Sequence, residues 1–165
     1  HFARETDSLY RAMQEGRLHR NFMGYTETNT RLMISLGVSS ISDTWYGFAQ
    51  NEKKLEDYNA RIENGEWPLT RGHLLTSEDL ILRQHILNIM CRMRTDWADS
   101  ALQLPELPII LERLQSMQDD GLVDIHSEGL TVLEAGRPFI RNIAMAFDLR
   151  LWRKQPETRL FSMTI

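Results

Sequence analysis

From residue 76 onward apolar residues recur at helical spacing, and this run constrains the fold more than anything else in the chain. TSEDLILRQHILNIMCRM places Thr76 where an N-cap belongs and Asp79 three residues later, as an acidic form of the capping box. Leu82, Ile86, Ile89, Met90 and Met93 then form a broad apolar face. A second helix is predicted through PELPIILERLQSMQDDG, with Leu107, Ile110, Leu111, Leu114 and Met117 on one side and Gly121 just past its end. LVDIHSEGLTVL reads as a small hairpin with arms 122–126 and 130–133, followed by a helix over about 134–152. Helix, helix, hairpin, helix predicts a mainly helical, winged-helix-like domain over 76–165.

Residues 1–75 have a different texture. The spacing predicts a helix over about 6–15, a turn at Gly16, extended chain over 20–26 and a strand over 31–41. A helix over 52–63 carries Leu55, Tyr58 and Ile62 and stops at Gly65, and LTRGHLL reads as a strand. These residues supply too few apolar side chains to enclose a core, so this half reads as the edge of something larger. The predicted class is α+β.

Composition excludes several roles. With 165 residues, 42% hydrophobic and 25% charged, the chain can bury one sizeable core or two small ones. No apolar run is long enough to span a membrane and HFARETDSLY is not a signal peptide, which makes a cytoplasmic location the expectation. A net charge of −4 argues against nucleic acid. The helix that would enter a groove offers Glu112, Gln115, Asp119 and Asp120 against Arg113, and phosphate would be repelled. The single cysteine, Cys91, sits among apolar neighbours as a core thiol. His19, His73, His85 and His126 are scattered without metal-ligand spacing, and the nucleophile-elbow and phosphate-loop motifs are absent. No catalytic residue and no metal ligand is assigned.

One stretch invites a ligand. HRNFMGYTETNTRLMISLGVSSIS combines Gly24 and Gly37 with the flat faces of Phe22 and Tyr25, which suits either a ligand-lining edge or a tight turn between strands. This stretch also carries a resemblance. RNFMGYT, LGVSSIS, YGFAQNEKKLEDY, LTRGHLLTSED, DGLVDI and GRPFIRNIAMAFD, with HFA at the start and LFSMTI at the end, follow one another as in the C-terminal portion of the oxygen-independent coproporphyrinogen III oxidases. That family consists of radical S-adenosylmethionine enzymes of haem biosynthesis.

The resemblance implies that residues 1–75 are the last part of a partial (β/α) barrel and 76–165 the family's helical C-terminal domain, covering the barrel mouth. In the family a 5′-deoxyadenosyl radical abstracts hydrogen from two propionates of coproporphyrinogen III, and loss of carbon dioxide gives protoporphyrinogen IX. The family's 4Fe-4S cluster needs a CxxxCxxC motif, which one cysteine cannot supply, so the chain is expected to hold no cluster and to be inactive alone. The cluster and the first S-adenosylmethionine would belong to a preceding barrel. By position, Phe22, Met23 and Ile41 correspond to residues beside a second S-adenosylmethionine. Met23 departs from the glutamine of many relatives and would weaken a polar contact there. Arg20 and Arg71 are candidates for pairing with substrate propionates, and Arg141 for helix packing. The implied partners are the N-terminal barrel of the same chain, coproporphyrinogen III and an electron donor such as a flavodoxin. The related haem chaperones and a free-standing winged-helix interaction module are the alternatives.

Overall fold

The computed structural model describes residues 3–153, and the HFA and LFSMTI signatures fall wholly or partly outside them. The chain is α+β and divides into two compact units, His1–Arg83 and Gln84–Ile165.

In the first unit, α1 (Ser8–Gln14) is capped by Asp7, whose carboxylate accepts the Leu9 N–H at 2.8 Å, and the chain reverses at Gly16 in the left-handed region (φ +68°). β1 (His19–Asn21) and β2 (Gly24–Thr26) form an antiparallel pair. A four-stranded antiparallel sheet follows, with β3 (Leu32–Met33), β4 (Ile41–Thr44), β5 (Gly47–Asn51) and β6 (Leu69–Leu74) in sequential order. α2 (Leu55–Glu63) lies between β5 and β6 in the chain and ends before Gly65, as its periodicity predicts.

Two expectations for this unit are corrected. The segment 20–26 is not one extended run but a hairpin, because the Asn21 side chain accepts the N–H groups of Met23 and Gly24 at 2.9 and 3.2 Å and turns the chain. The strand expected over 31–41 is broken: only Leu32–Met33 and, at its end, Ile41 of β4 are extended in a ladder. Between them the Ser35 hydroxyl donates to the Ile41 carbonyl at 2.6 Å while its N–H donates to the Ser42 hydroxyl. Side-chain bonds thus replace the ladder, and Gly37 (φ +96°) and Ser39 (φ +63°) turn left-handed.

The first unit is fastened by polar groups. Arg83 donates to Asp43 at 2.8 Å and to the carbonyls of Thr44 and Trp45, and its guanidinium lies over the rings of Trp45 and Phe48 at 4.9 and 5.2 Å. Asp43 is buried and Arg83 nearly so, which makes this an internal ion pair with hydrogen bonds satisfying both partners.

α3 (Ser77–Arg92) begins in the first unit and runs into the second. Its capping box forms as predicted: Thr76 N–H donates to the Asp79 carboxylate at 2.8 Å and Asp79 N–H to the Thr76 hydroxyl at 3.2 Å. Met93 falls beyond the helix, in the left-handed region.

The second unit contains α4 (Leu107–Asp119), which buries Ile110 and Leu114 and stops before Gly121. β7 (Arg94–Asp96), a strand that periodicity missed, pairs with β9 (Gly129–Val132), which pairs in turn with β8 (Val123–His126). The helix expected over 134–152 is broken into a 3₁₀ segment, Glu134–Phe139, then α5 (Ile140–Met145) and α6 (Leu149–Arg153). Pro138 lacks the N–H that an α-helical turn would need, and Asp148 accepts the Leu151 N–H at 2.9 Å, restarting the helix as a cap. Gly136 packs so closely that a Cβ there would stand 2.0 Å from the Leu122 carbonyl oxygen.

The core of this unit gathers Ile89, Ile110, Leu114, Leu130, Ile143 and Phe147, all fully buried. Within it His85 is also fully buried, with Nε2 2.8 Å from the Leu102 carbonyl and Nδ1 2.8 Å from the Thr95 hydroxyl. The carbonyl can only accept, so Nε2 carries the proton and Nδ1 accepts from Thr95. Burial pushes the His85 pKa below its usual value, opposed by the Leu102 bond and by Asp96.

Candidate functional site

Phe22 and Met23 are the two residues at the tip of the β1–β2 hairpin, bracketed by the Asn21–Gly24 pair. Asn21 makes the tip: its carbonyl oxygen collects two backbone N–H groups, while its amide nitrogen lies 3.9 Å from the Met33 sulfur on β3. Gly24 (φ +137°) completes a turn that an L side chain rarely allows. Both tip side chains face outward, Phe22 56% and Met23 81% exposed. A large aromatic and a thioether held outward on a fastened turn form an apolar contact surface for a flat ligand.

Arg20 stands opposite Tyr25 on the same hairpin, its guanidinium 5.5 Å from the ring centre. Its Nε is buried without a hydrogen-bond partner among the described residues. An unpaired guanidinium N–H shielded from water is a donor left open to an acceptor from outside the described residues. Beside it, His19 is held below its usual pKa by burial first and by Arg83 next, with Asp43 opposing. His19 is therefore neutral at pH 7, leaving Arg20 as the cation of β1.

Ile41 opens β4 and is half-buried. It pairs with Gln50 on β5, and Gln50 pairs with Arg71 on β6, so the three form one row across the sheet. Directly opposed residues of an antiparallel ladder share a face. Arg71 Nε donates to the Gln50 side-chain oxygen at 2.8 Å. The structure thus brings Arg20, Phe22 and Met23 together on the hairpin and Ile41 with Arg71 on the sheet. Gln50, which links this row, was not singled out from the sequence, where YGFAQN was not read as a strand.

Among the described residues no group of three His, Cys, Asp or Glu side chains is disposed to hold a metal. Cys91 is buried in the other unit. Arg141 lies on α5 and is exposed. No described helix is long and apolar enough to cross a membrane.

No family model matches the chain. Curated relatives do. The oxygen-independent coproporphyrinogen III oxidase of Escherichia coli is 38% identical over an alignment that covers all of this chain and 37% of that one. Its counterpart in Salmonella typhimurium is 39% identical with the same coverage, and that of Cereibacter sphaeroides 37% identical over 90% of this chain and 34% of its own. The chain therefore spans about a third of the length of these relatives. Among solved structures, coproporphyrinogen III oxidase from Escherichia coli, described as a radical SAM enzyme, superposes with a TM-score of 0.83 at 38% identity, covering 91% of this chain and 36% of that one. Along its whole length this chain is a homologue of the C-terminal portion of the oxygen-independent coproporphyrinogen III oxidases.

Proposed function

We propose that the chain is the C-terminal part of an oxygen-independent coproporphyrinogen III oxidase, a cytoplasmic radical S-adenosylmethionine enzyme that converts coproporphyrinogen III to protoporphyrinogen IX. Residues 1–75 would complete a partial barrel and 76–165 form a winged-helix-like domain. The order α3, β7, α4 and the β8–β9 hairpin favours that last description.

The observation that carries the reading is the hairpin tip, with Phe22 and Met23 outward beside an Arg20 Nε that is shielded and unpaired. These residues fit S-adenosylmethionine, which has a flat adenine, an apolar ribose edge and a carboxylate. Phe22, Met23 and Ile41 would hold it. This would be the second S-adenosylmethionine of the site; the radical chemistry would be supplied by the first, bound by the cluster of a preceding barrel. The chain's own residues bind and orient: Phe22 and Ile41 offer apolar contact, and Met23 in place of an amide leaves that contact without a strong donor. Arg20 and Arg71 meet carboxylates, and the shielded setting of Arg20 strengthens that pairing. The 4Fe-4S cluster does not fit this chain, whose one cysteine is buried in the second unit, and no step is routed through it. It would belong to an N-terminal barrel of the same protein, supplied with electrons by a donor such as a flavodoxin.

The test is anaerobic turnover of coproporphyrinogen III by the protein expressed from its complete coding region, wild type against Phe22→Ala. Protoporphyrinogen formation that falls about tenfold or more in the variant, with S-adenosylmethionine cleavage uncoupled from decarboxylation, is the expected result. Tight haem binding without turnover would move the chain to the haem chaperones.

A further inference from the structure

We infer that Gln50 is a positioning residue that presents Arg71 to a carboxylate of the substrate. The inference rests on the reading of Arg71 as a propionate partner and adds what aims it.

Gln50 is engaged at both ends. Its oxygen accepts the Arg71 Nε–H at 2.8 Å and its nitrogen donates to the Ser39 carbonyl at 3.1 Å. Neither bond is needed by the β5–β6 ladder, which pairs Gln50 with Arg71 through the backbone. The anchor for this bridge is firm. Ser39 is a non-glycine residue in the left-handed region, a conformation costing on the order of 1 kcal/mol that persists only where its surroundings impose it. The surroundings here are specific: Ser39 N–H donates to the Glu52 carbonyl at 2.8 Å, and the buried Asn51 amide donates to the Gly37 carbonyl and the Ser40 hydroxyl at 2.9 and 3.0 Å. From the other side the Gly37 N–H donates to the Tyr58 hydroxyl at 3.1 Å. The loop cannot drift, so the Ser39 carbonyl, the Gln50 amide and the Arg71 guanidinium form one fixed series.

The consequence is chemical. An arginine whose Nε is taken has only its Nη1–Nη2 edge for a ligand, and that edge matches the two oxygens of a carboxylate end-on. On an exposed strand a free arginine would lose rotamer freedom on binding, whereas one held by a neutral amide has lost it already and keeps its full charge. A carboxylate at position 50 would also hold Arg71, but would neutralise it.

The experiment uses the protein from its complete coding region and the fluorescent probe coproporphyrin III, which carries the same four carboxylates as the reduced substrate. Binding is titrated for wild type, Arg71→Ala, Gln50→Ala, Gln50→Glu and the double variant Gln50→Ala with Arg71→Ala. We expect Gln50→Glu to weaken binding about tenfold, close to Arg71→Ala, Gln50→Ala to weaken it about threefold, and the double variant to be no weaker than Arg71→Ala alone. A purely structural Gln50 would lower the melting temperature without this coupling, so melting is followed in every variant. Wild-type affinity in both Gln50 variants, with Arg71→Ala impaired, would overturn the inference and leave Arg71 as a ligand. Wild-type affinity in Arg71→Ala would overturn the reading of Arg71 and the inference with it.

Discussion

The two units solve the problem of holding a chain together in opposite ways. In the second unit large apolar side chains meet each other: Ile110, Leu114, Leu130, Ile143 and Phe147 are fully buried. In the first, the only buried hydrophobic residues described are Ala12 and Leu82, while Leu36, Trp67 and Leu74 are 87%, 79% and 82% exposed. What the first unit buries instead is polar: Asp43 against Arg83, and Asn51 inside the loop before β4. Apolar contact is forgiving in direction and scales with area, whereas a buried ion pair or amide is stable only when every partner is in place. The second unit therefore has the makings of an independent core, and the first depends on a few directional bonds.

The largest effect expected is in the apolar unit. Phe147→Ala removes a fully buried ring stacked 5.2 Å from the His85 imidazole and should cost about 4 kcal/mol in urea unfolding. Leu36→Ser, the matching test in the other unit, should change stability by no more than about 0.5 kcal/mol. Equal losses from the two would break the comparison. Next in size, Asp43→Ala leaves the nearly buried Arg83 guanidinium without its counter-ion, at a cost of about 3 kcal/mol. Only a small loss would mean that the apolar surface of the first unit matters more than its polar fastening.

The smallest effect concerns pH. His85 is neutral in the fold because its pKa lies below the unfolded value of 6.5, so the unfolded chain binds the extra proton first as pH falls. Stability should be fully present above pH 6.5 and decline as pH drops through the lowered folded pKa. His85→Gln should flatten that acid limb, read from unfolding midpoints between pH 7.5 and 5. An unchanged acid limb would show that a core histidine is not what makes this unit acid-sensitive.

How much of this was legible in the sequence follows the same division. Helices set by apolar period and caps could be read: Thr76 with Asp79 closes the box expected of it, and α2 and α4 end ahead of Gly65 and Gly121. The helix over 134–152 was overrun because its apolar spacing continues through Pro138 and Asp148, and spacing says nothing of a missing donor or a side-chain cap. The first unit was harder, because its turns are made by single side chains acting at a distance. Asn21 gathers two N–H groups with no Asn-Gly pair to announce a hairpin, and Asn51 reaches back fourteen residues to Gly37. Of the site residues, Phe22 and Arg20 stood out by type, but the row Ile41, Gln50, Arg71 depends on strand register, which appears only once the sheet is assembled.

β6 has a further consequence. All six of its residues are exposed, and it forms one margin of its sheet among the described residues. An uncovered strand margin is a template for unwanted pairing between copies, and leucines at both ends of this one would reward it. Arg71 and Gly72 occupy the middle, where a charge and a residue of poor strand propensity interrupt a self-complementary run. Whatever else it meets, the Arg71 guanidinium would thus act as a gatekeeper against aggregation.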